Sequence, residues 1–230
     1  MAAIDSVRSA LAQVSLLGEL SSLELDELSV SLRRRRYRKG EVIVVQGEPG
    51  STMYLIESGR VRIAATSAQG KEVILALRGP GEFFGEMALL DGEPRSADAI
   101  AHEASILLLL ERTDFQRYLE ARPKLAIRML VAISRRLRQS TRMVEDASFL
   151  DVPGRLARVL LDLADSHGKQ TDQGTVITSR LTQSELASMV GATRESVNKW
   201  LGSFQRLGLV RRDGSLITIT SLEKLRKRIY

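Results

Sequence analysis

From Tyr37 onward, short β-prone runs at 41–46, 53–57, 60–65, 72–77 and 105–110 alternate with Gly40, Gly47, Gly50, Gly59, Gly70, Gly79 and Gly81. This pattern constrains the fold more than any other feature, because runs of that length bounded by turn formers suit strands and are too short for helices. Strands at such spacing predict an all-β barrel or sandwich in the middle of the chain. Before it, Leu11, Val14, Leu17 and Leu20, then Leu23, Leu25 and Leu28 after a Ser21-Ser22 break, predict helix over 1–30. The basic run Arg33 to Arg36 reads as a solvated surface leading into a strand rather than a targeting tag. The aliphatic run 106–110 falls far short of the ~18 residues that cross a bilayer, and Asp5 and Arg8 interrupt any apolar leader. The expectation is a cytoplasmic chain with no membrane partner.

After Pro123 the period becomes helical for about seven turns. Leu130, Ile133, Leu137, Ser140, Val144 and Ala147 step alternately by three and four, the seam of a helix that packs along another helix. Arg135, Arg136, Arg138 and Arg142 crowd its other faces and resist burial against the chain's own barrel. A homodimer through Leu130, Ile133, Leu137, Ser140 and Val144 is therefore expected. Ser140 weakens an apolar seam and requires a reason, either register or a ligand. Pro153-Gly154 ends this helix, a second follows from 155 to about 166, and polar 168–174 reads as a loop.

Thr182-Gln183-Ser184-Glu185 is a capping box, which starts a helix with Leu186, Met189 and Val190 on its apolar face. Gly191 supplies a turn, and Thr193 caps a second helix. On that helix Val197, Trp200, Leu201 and Phe204 share one side, and Arg194, Glu195, Asn198 and Lys199, all base-reading types, share the other. Helix, glycine turn and polar-faced helix make a helix-turn-helix. Downstream, Asp213-Gly214 between β-prone runs predicts a hairpin wing carrying Arg211. Residues 151–230 hold 13 Lys and Arg against 8 Asp and Glu, which is +5 of the chain's +6, as a polyanion-binding module requires. The candidate contacts to double-stranded DNA are Arg180, Thr182, Thr193, Arg194, Glu195, Asn198, Lys199 and Arg211.

A second constellation lies at Phe84 to Ala97. Gly85 opens a short helix whose free N–H groups suit an anion, and Arg95 follows within loop reach with a guanidinium fork for phosphate. Glu86 would repel an anion unless the ligand also offered a donor such as a sugar hydroxyl. Phosphate and ribose on one compact ligand describe a cyclic nucleotide; the alternative is an internal Glu86–Arg95 ion pair with no ligand. Catalysis is not expected, since there is no nucleophile–base pair, carboxylate dyad or H-E-x-x-H spacing. The absence of cysteine excludes disulfides, cysteine-ligated zinc and iron–sulfur clusters.

With Gly85, Glu86, Ala88 and Pro94-Arg95-Ser96-Ala97, with 135–137 and 149–152 along and after the long helix, and with 191–197, the sequence resembles the cyclic AMP receptor protein (CRP/FNR) family of bacterial transcription regulators over essentially its whole length. The resemblance implies an α+β fold: a cyclic-nucleotide-binding double-stranded β-helix, or β-roll, over 1–122, a dimerisation helix over 123–150 and a winged helix-turn-helix over 151–230. It implies that Gly85, Glu86, Met87, Ala88, Arg95 and Ser96 contact the ribose phosphate, that Ser140 and Thr141 contact the base, and that Arg194, Glu195 and Lys199 read DNA. The implied effector is cyclic AMP, with cyclic GMP or cyclic di-GMP as alternatives. The implied partners are a palindromic site and RNA polymerase. Two departures stand out: the segment between Gly85 and Arg95 is one residue shorter than in the best-known member, and Lys199 replaces an arginine. The haem-sensing branch is not expected, because His102 and His167 are the only histidines and neither is near the cassette or on the long helix. A ligand-independent DNA-binding protein of the same fold remains the competing reading.

Overall fold

The computed structural model describes residues 2–14, 16–18 and 20–229, so the expectation of helix at Met1, Ser15 and Glu19 lies outside the described residues. The chain divides into two compact units, 1–137 and 138–230.

The first unit runs α1 (Ala2–Gln13), α2 (Ser22–Val30), β1 (Arg33–Tyr37), β2 (Val42–Val44), β3 (Thr52–Ser58), β4 (Val61–Thr66), β5 (Glu72–Arg78), β6 (Phe83–Phe84), α3 (Glu86–Asp91), β7 (Asp98–Ala101), β8 (Ser105–Glu111), α4 (Arg112–Ala121) and the start of α5 (Pro123–Phe149). The serine break works as a capping box: Ser21 Oγ accepts from the Glu24 N–H at 3.3 Å, and Glu24 accepts from the Ser21 N–H at 2.8 Å. Two four-stranded antiparallel sheets, ordered β1-β8-β3-β6 and β2-β7-β4-β5, form the β-roll. Tyr37, Tyr54, Ile56, Phe84 and Leu107 of the first sheet meet Val44, Val61, Ala99 and Ala101 of the second in one core.

The alternate residues of the first sheet, Met53, Leu55, Leu108 and Leu110, face the other way and pack with Leu11, Leu25, Leu28, Phe115, Leu125 and Met129 of the helices. A strand buried on both faces reads as an unbroken apolar run, which explains why 53–56 shows no polar alternation. Three strands were not expected: β1, β7 and the two-residue β6, which pairs with β3. β1 consists largely of the arginine run, with all four arginines exposed on an edge strand, and Arg34 grips Glu57 through two bonds of 2.6 and 2.9 Å. The short β7 pairs with β2 and β4.

The second unit holds the rest of α5, then α6 (Val152–His167), β9 (Gly168–Thr171), β10 (Gly174–Ile177), α7 (Gln183–Val190), α8 (Arg194–Arg206), β11 (Val210–Asp213), β12 (Leu216–Ile219) and α9 (Leu222–Arg226). Asp151 caps α6 by accepting from the Gly154 N–H at 2.9 Å. Leu156 and Leu160 of α6, Leu186 and Val190 of α7, and Val197, Leu201 and Phe204 of α8 are buried, and the sheet runs β11-β12-β10-β9. The expected loop at 168–174 is instead a hairpin: β9 pairs with β10, and every β9 side chain is exposed, so no hydrophobic period marked it. The wing hairpin turns one residue later than the Asp-Gly signal suggests, over Gly214-Ser215, with the positive φ of 57° on Gly214, the position a type II′ turn reserves for glycine. Among the described residues no helix is long and apolar enough to cross a membrane.

Candidate functional site

In the first unit, Gly85 stands at φ 82° and caps α3. A Cβ there would lie 2.7 Å from Arg95 Nη1, so both the backbone angle and the space require glycine. Arg95, only 8% exposed, has drawn its guanidinium inward: Nη1 donates to the Gly85 carbonyl at 2.9 Å and Nη2 to the Thr52 carbonyl at 2.8 Å. It lies 5.8 Å from the centroid of the Tyr54 ring, which itself stacks on Phe84 at 4.9 Å. Gly50 is short of space on the same side chain, since a Cβ on it would sit 2.2 Å from Arg95 Nε. Removal from water pulls the Arg95 pKa below its ordinary value, with the nearby Tyr54 and Glu86 acting in the opposite direction.

The alternative of a Glu86–Arg95 pair does not form. Glu86, 3% exposed, instead pairs with Arg136 of α5, which also donates to the Phe83 carbonyl and covers the Phe83 ring at 4.4 Å. Arg136 is the residue that sequence reasoning missed; it counted only as a charged face, and a partner 50 residues away leaves no local signal. Glu86 Oε2 is buried with no hydrogen-bond partner among the described residues. A buried acceptor left open in this way suits a donor from outside the chain. Around it, Ala88 is buried and gives its carbonyl to Arg112 at 2.6 Å, while exposed Met87 takes the Ser96 hydroxyl on its sulfur at 3.6 Å. Gly85, Glu86, Arg95 and Arg136 are thus brought together within one unit. Ser140 and Thr141 are exposed on α5 and belong to the second unit. No group of His, Cys, Asp and Glu that could hold a metal ion occurs among the described residues.

Along α5, Leu130, Leu137 and Val144 are 63%, 66% and 66% exposed and recur every seven residues. Ile133, the other apolar residue of the expected seam, is half-buried and packs against the core of its own unit.

On the second unit, Thr182 Oγ1 accepts from the Glu185 N–H at 3.2 Å and donates to the Glu185 carboxylate at 2.8 Å, so the hydroxyl is spent on the cap. Gly191 ends α7 at φ 67°, and Thr193 caps α8 by accepting from the Ser196 N–H at 3.2 Å. Arg180, Arg194, Glu195 and Lys199 are exposed, the last with its ammonium 5.7 Å from the Trp200 ring. Asn198 does not join them: it is half-buried and turns its amide toward α7, where Nδ2 donates to Gln183 Oε1 at 2.7 Å. Arg211 of the wing is exposed and donates to Gln173 in the β9–β10 turn.

Comparison with known proteins agrees with this division. A family model described as cyclic nucleotide-binding domain matches residues 34–122, and one described as Crp-like helix-turn-helix domain matches 154–228. The chain is 35% identical over 201 residues to a CRP-like cAMP-activated global transcriptional regulator of Mycobacterium tuberculosis, covering 87% of this chain and 90% of that protein. It is 37% identical over 192 residues to the cyclic AMP receptor protein of Thermus thermophilus, covering 84% and 86%. Among solved structures it resembles the c-di-GMP-responsive global regulator CLP of Xanthomonas campestris, with a TM-score of 0.73 and 29% identity over 84% of this chain and 95% of that one.

Proposed function

We propose, for a chain that belongs to the CRP/FNR family of transcription regulators, that cyclic AMP is the effector which controls its binding to a palindromic DNA site. The family is one of regulators, not enzymes; its members bind DNA through the helix-turn-helix and act as dimers. The observation that carries the effector reading is the open, buried Glu86 Oε2 beside the enclosed guanidinium of Arg95. A ribose hydroxyl would donate to that oxygen, and a phosphate would take Arg95's donors from two neutral carbonyls, gaining charge-assisted bonds. Arg136 would hold the Glu86 carboxylate so that Oε2 stays presented to the sugar. Cyclic AMP, rather than another cyclic nucleotide, is supported by the cAMP-activated relative of Mycobacterium tuberculosis and the cyclic AMP receptor protein of Thermus thermophilus. Ser140 and Thr141 would meet the base, where a hydroxyl serves either purine because it both donates and accepts.

The apolar repeat Leu130, Leu137 and Val144 supports a two-fold pairing of α5. We assign 1–122 to the sensor, 123–150 to the dimer helix and 151–230 to the DNA reader, with RNA polymerase as protein partner and the cytoplasm as location. Ligand in the sensor would bias how two readers present themselves to half-sites one helical turn apart, ~34 Å. Calorimetry with cyclic AMP, cyclic GMP and cyclic di-GMP, paired with selection of DNA sites with and without each, tests this. Cyclic AMP should bind in the micromolar range, about −8 kcal/mol, and tighten DNA binding by ~1–3 kcal/mol. Preference for another of the three would overturn the choice of effector. A selected palindrome whose affinity ignores all three would overturn the control.

A further inference from the structure

Gln183 opens α7, Arg194 opens α8, and a single oxygen joins them. Arg194 Nε donates to Gln183 Oε1 at 3.3 Å, and Asn198 Nδ2 donates to the same atom at 2.7 Å. Chemistry alone fixes how the three are turned. Guanidinium nitrogens only donate, so the oxygen of the Gln183 amide, not its nitrogen, must face Arg194. That oxygen can then accept from Asn198 only through the Asn198 nitrogen. A carbonyl oxygen has two lone pairs, and both are now used. Turned this way, Asn198 leaves its own Oδ1 buried with no hydrogen-bond partner among the described residues. An apolar side chain at 198 would avoid that cost, so the bond to Gln183 is what asparagine contributes there.

We propose that Gln183 is a positioning residue for base reading, which holds Arg194 by its Nε so that the two terminal amino groups meet the DNA as an end-on fork. The inference rests on the reading of Arg194 as a base contact. A guanidinium can offer a base edge either Nη1 with Nη2 or Nε with Nη2. With Nε engaged, only the first pair remains for the two acceptors, O6 and N7, that guanine presents in the major groove. Asn198 anchors Gln183 from α8 and touches no base. Holding the side chain before DNA arrives removes rotamer freedom that binding would otherwise have to remove.

The test uses the full-length protein and fluorescence anisotropy on two duplexes, the selected site and the same site with the base pair read by Arg194 replaced. Gln183→Leu should lower the ratio of the two affinities about five- to tenfold while leaving the slope of binding against salt unchanged, because no phosphate contact is lost. Gln183→Glu keeps an acceptor for both donors and should restore the ratio, even if its charge weakens both duplexes alike. Combining Gln183→Leu with Arg194→Ala should give no lower ratio than Arg194→Ala alone. Gln183→Met supplies the same measurement if the leucine variant does not fold. A wild-type ratio in Gln183→Leu, or in Gln183→Met where that stands in for it, would overturn the proposal. So would a glutamate variant no better than the apolar one, or additive losses in the double variant. A wild-type ratio in Arg194→Ala is a different failure: it would remove the base contact itself, and the positioning role with it.

Discussion

Replacing Arg136 with Met tests whether the Glu86 carboxylate is held by a buried ion pair. The methionine keeps an unbranched apolar stem over the Phe83 ring, which the guanidinium now covers at 4.4 Å, and removes only the charge and its donors. Glu86 is then left 3% exposed with both oxygens unpartnered, since Oε2 already lacks a partner. Stranding one member of a buried pair costs ~3–5 kcal/mol. The Arg136 side chain is 23% exposed, so water partly screens the pair and the expected cost falls to ~2–4 kcal/mol. At on the order of 3–4 °C per kcal/mol, the thermal unfolding midpoint of the first unit, followed by far-ultraviolet circular dichroism without ligand, should drop by about 6–16 °C.

The converse change, Glu86→Gln, leaves a guanidinium that water can reach and an amide that can still accept, so it should cost only ~1 kcal/mol. Combining Arg136→Met with Glu86→Leu should recover most of the loss, because no buried charge remains. An Arg136→Met penalty below ~1 kcal/mol, or one smaller than that of Glu86→Gln, would refute the reasoning, since solvent rather than the partner would then be neutralising the carboxylate.

Arg95→Leu should abolish cyclic nucleotide binding measurable by calorimetry, leaving the fold intact by circular dichroism; unchanged affinity would remove the phosphate assignment. Leu137→Asp should yield monomers in sedimentation at micromolar concentration, because it places a charge in the expected α5 seam. Glu24 has its pKa lowered from 4.5 to about 2 by the Ser21 backbone N–H first and by Arg122 second. The stability it contributes is therefore complete above pH 4.5 and lost as pH falls through about 2. Glu24→Gln should flatten the acid limb of an unfolding-against-pH curve in that window, and an unaltered limb would count against the cap as its source.

The strands, the long helix and the helix-turn-helix could be read from sequence because each carries a local mark: glycine spacing, a three-four apolar step, a threonine cap with glutamate three residues on. Where side chains on both faces meet the same environment, the mark disappears. β1 exposes all four of its arginines and β9 all four of its residues, so neither alternates, and in sequence the one has the pattern of a solvated run and the other that of a loop. The cassette residues 85, 86 and 95 were evident as residue types, but their partners were not. Arg95 turns to two backbone carbonyls, which no side-chain pattern encodes, and Glu86 takes a cation from α5. Asn198 carries the same lesson, since its place on the polar arc of α8 suggested DNA while packing against α7 gave it Gln183.

The four arginines of β1 also bear on how this protein behaves when concentrated. β1 is the outer strand of its sheet and, among the described residues, β8 is the one strand it pairs with, so its other edge is the side a further strand would approach. A second copy arriving antiparallel would bring the guanidinium groups of the two strands together along the shared edge, while lengthening the sheet by one strand. Arg34 is partly neutralised by Glu57 and Arg35 lies 3.7 Å from Glu41, but Arg33 and Arg36 bring full charge to that encounter. Like charge along that edge opposes such growth of the sheet, and added salt, which screens charges over a Debye length of about 10 Å at 0.1 M, should weaken the opposition.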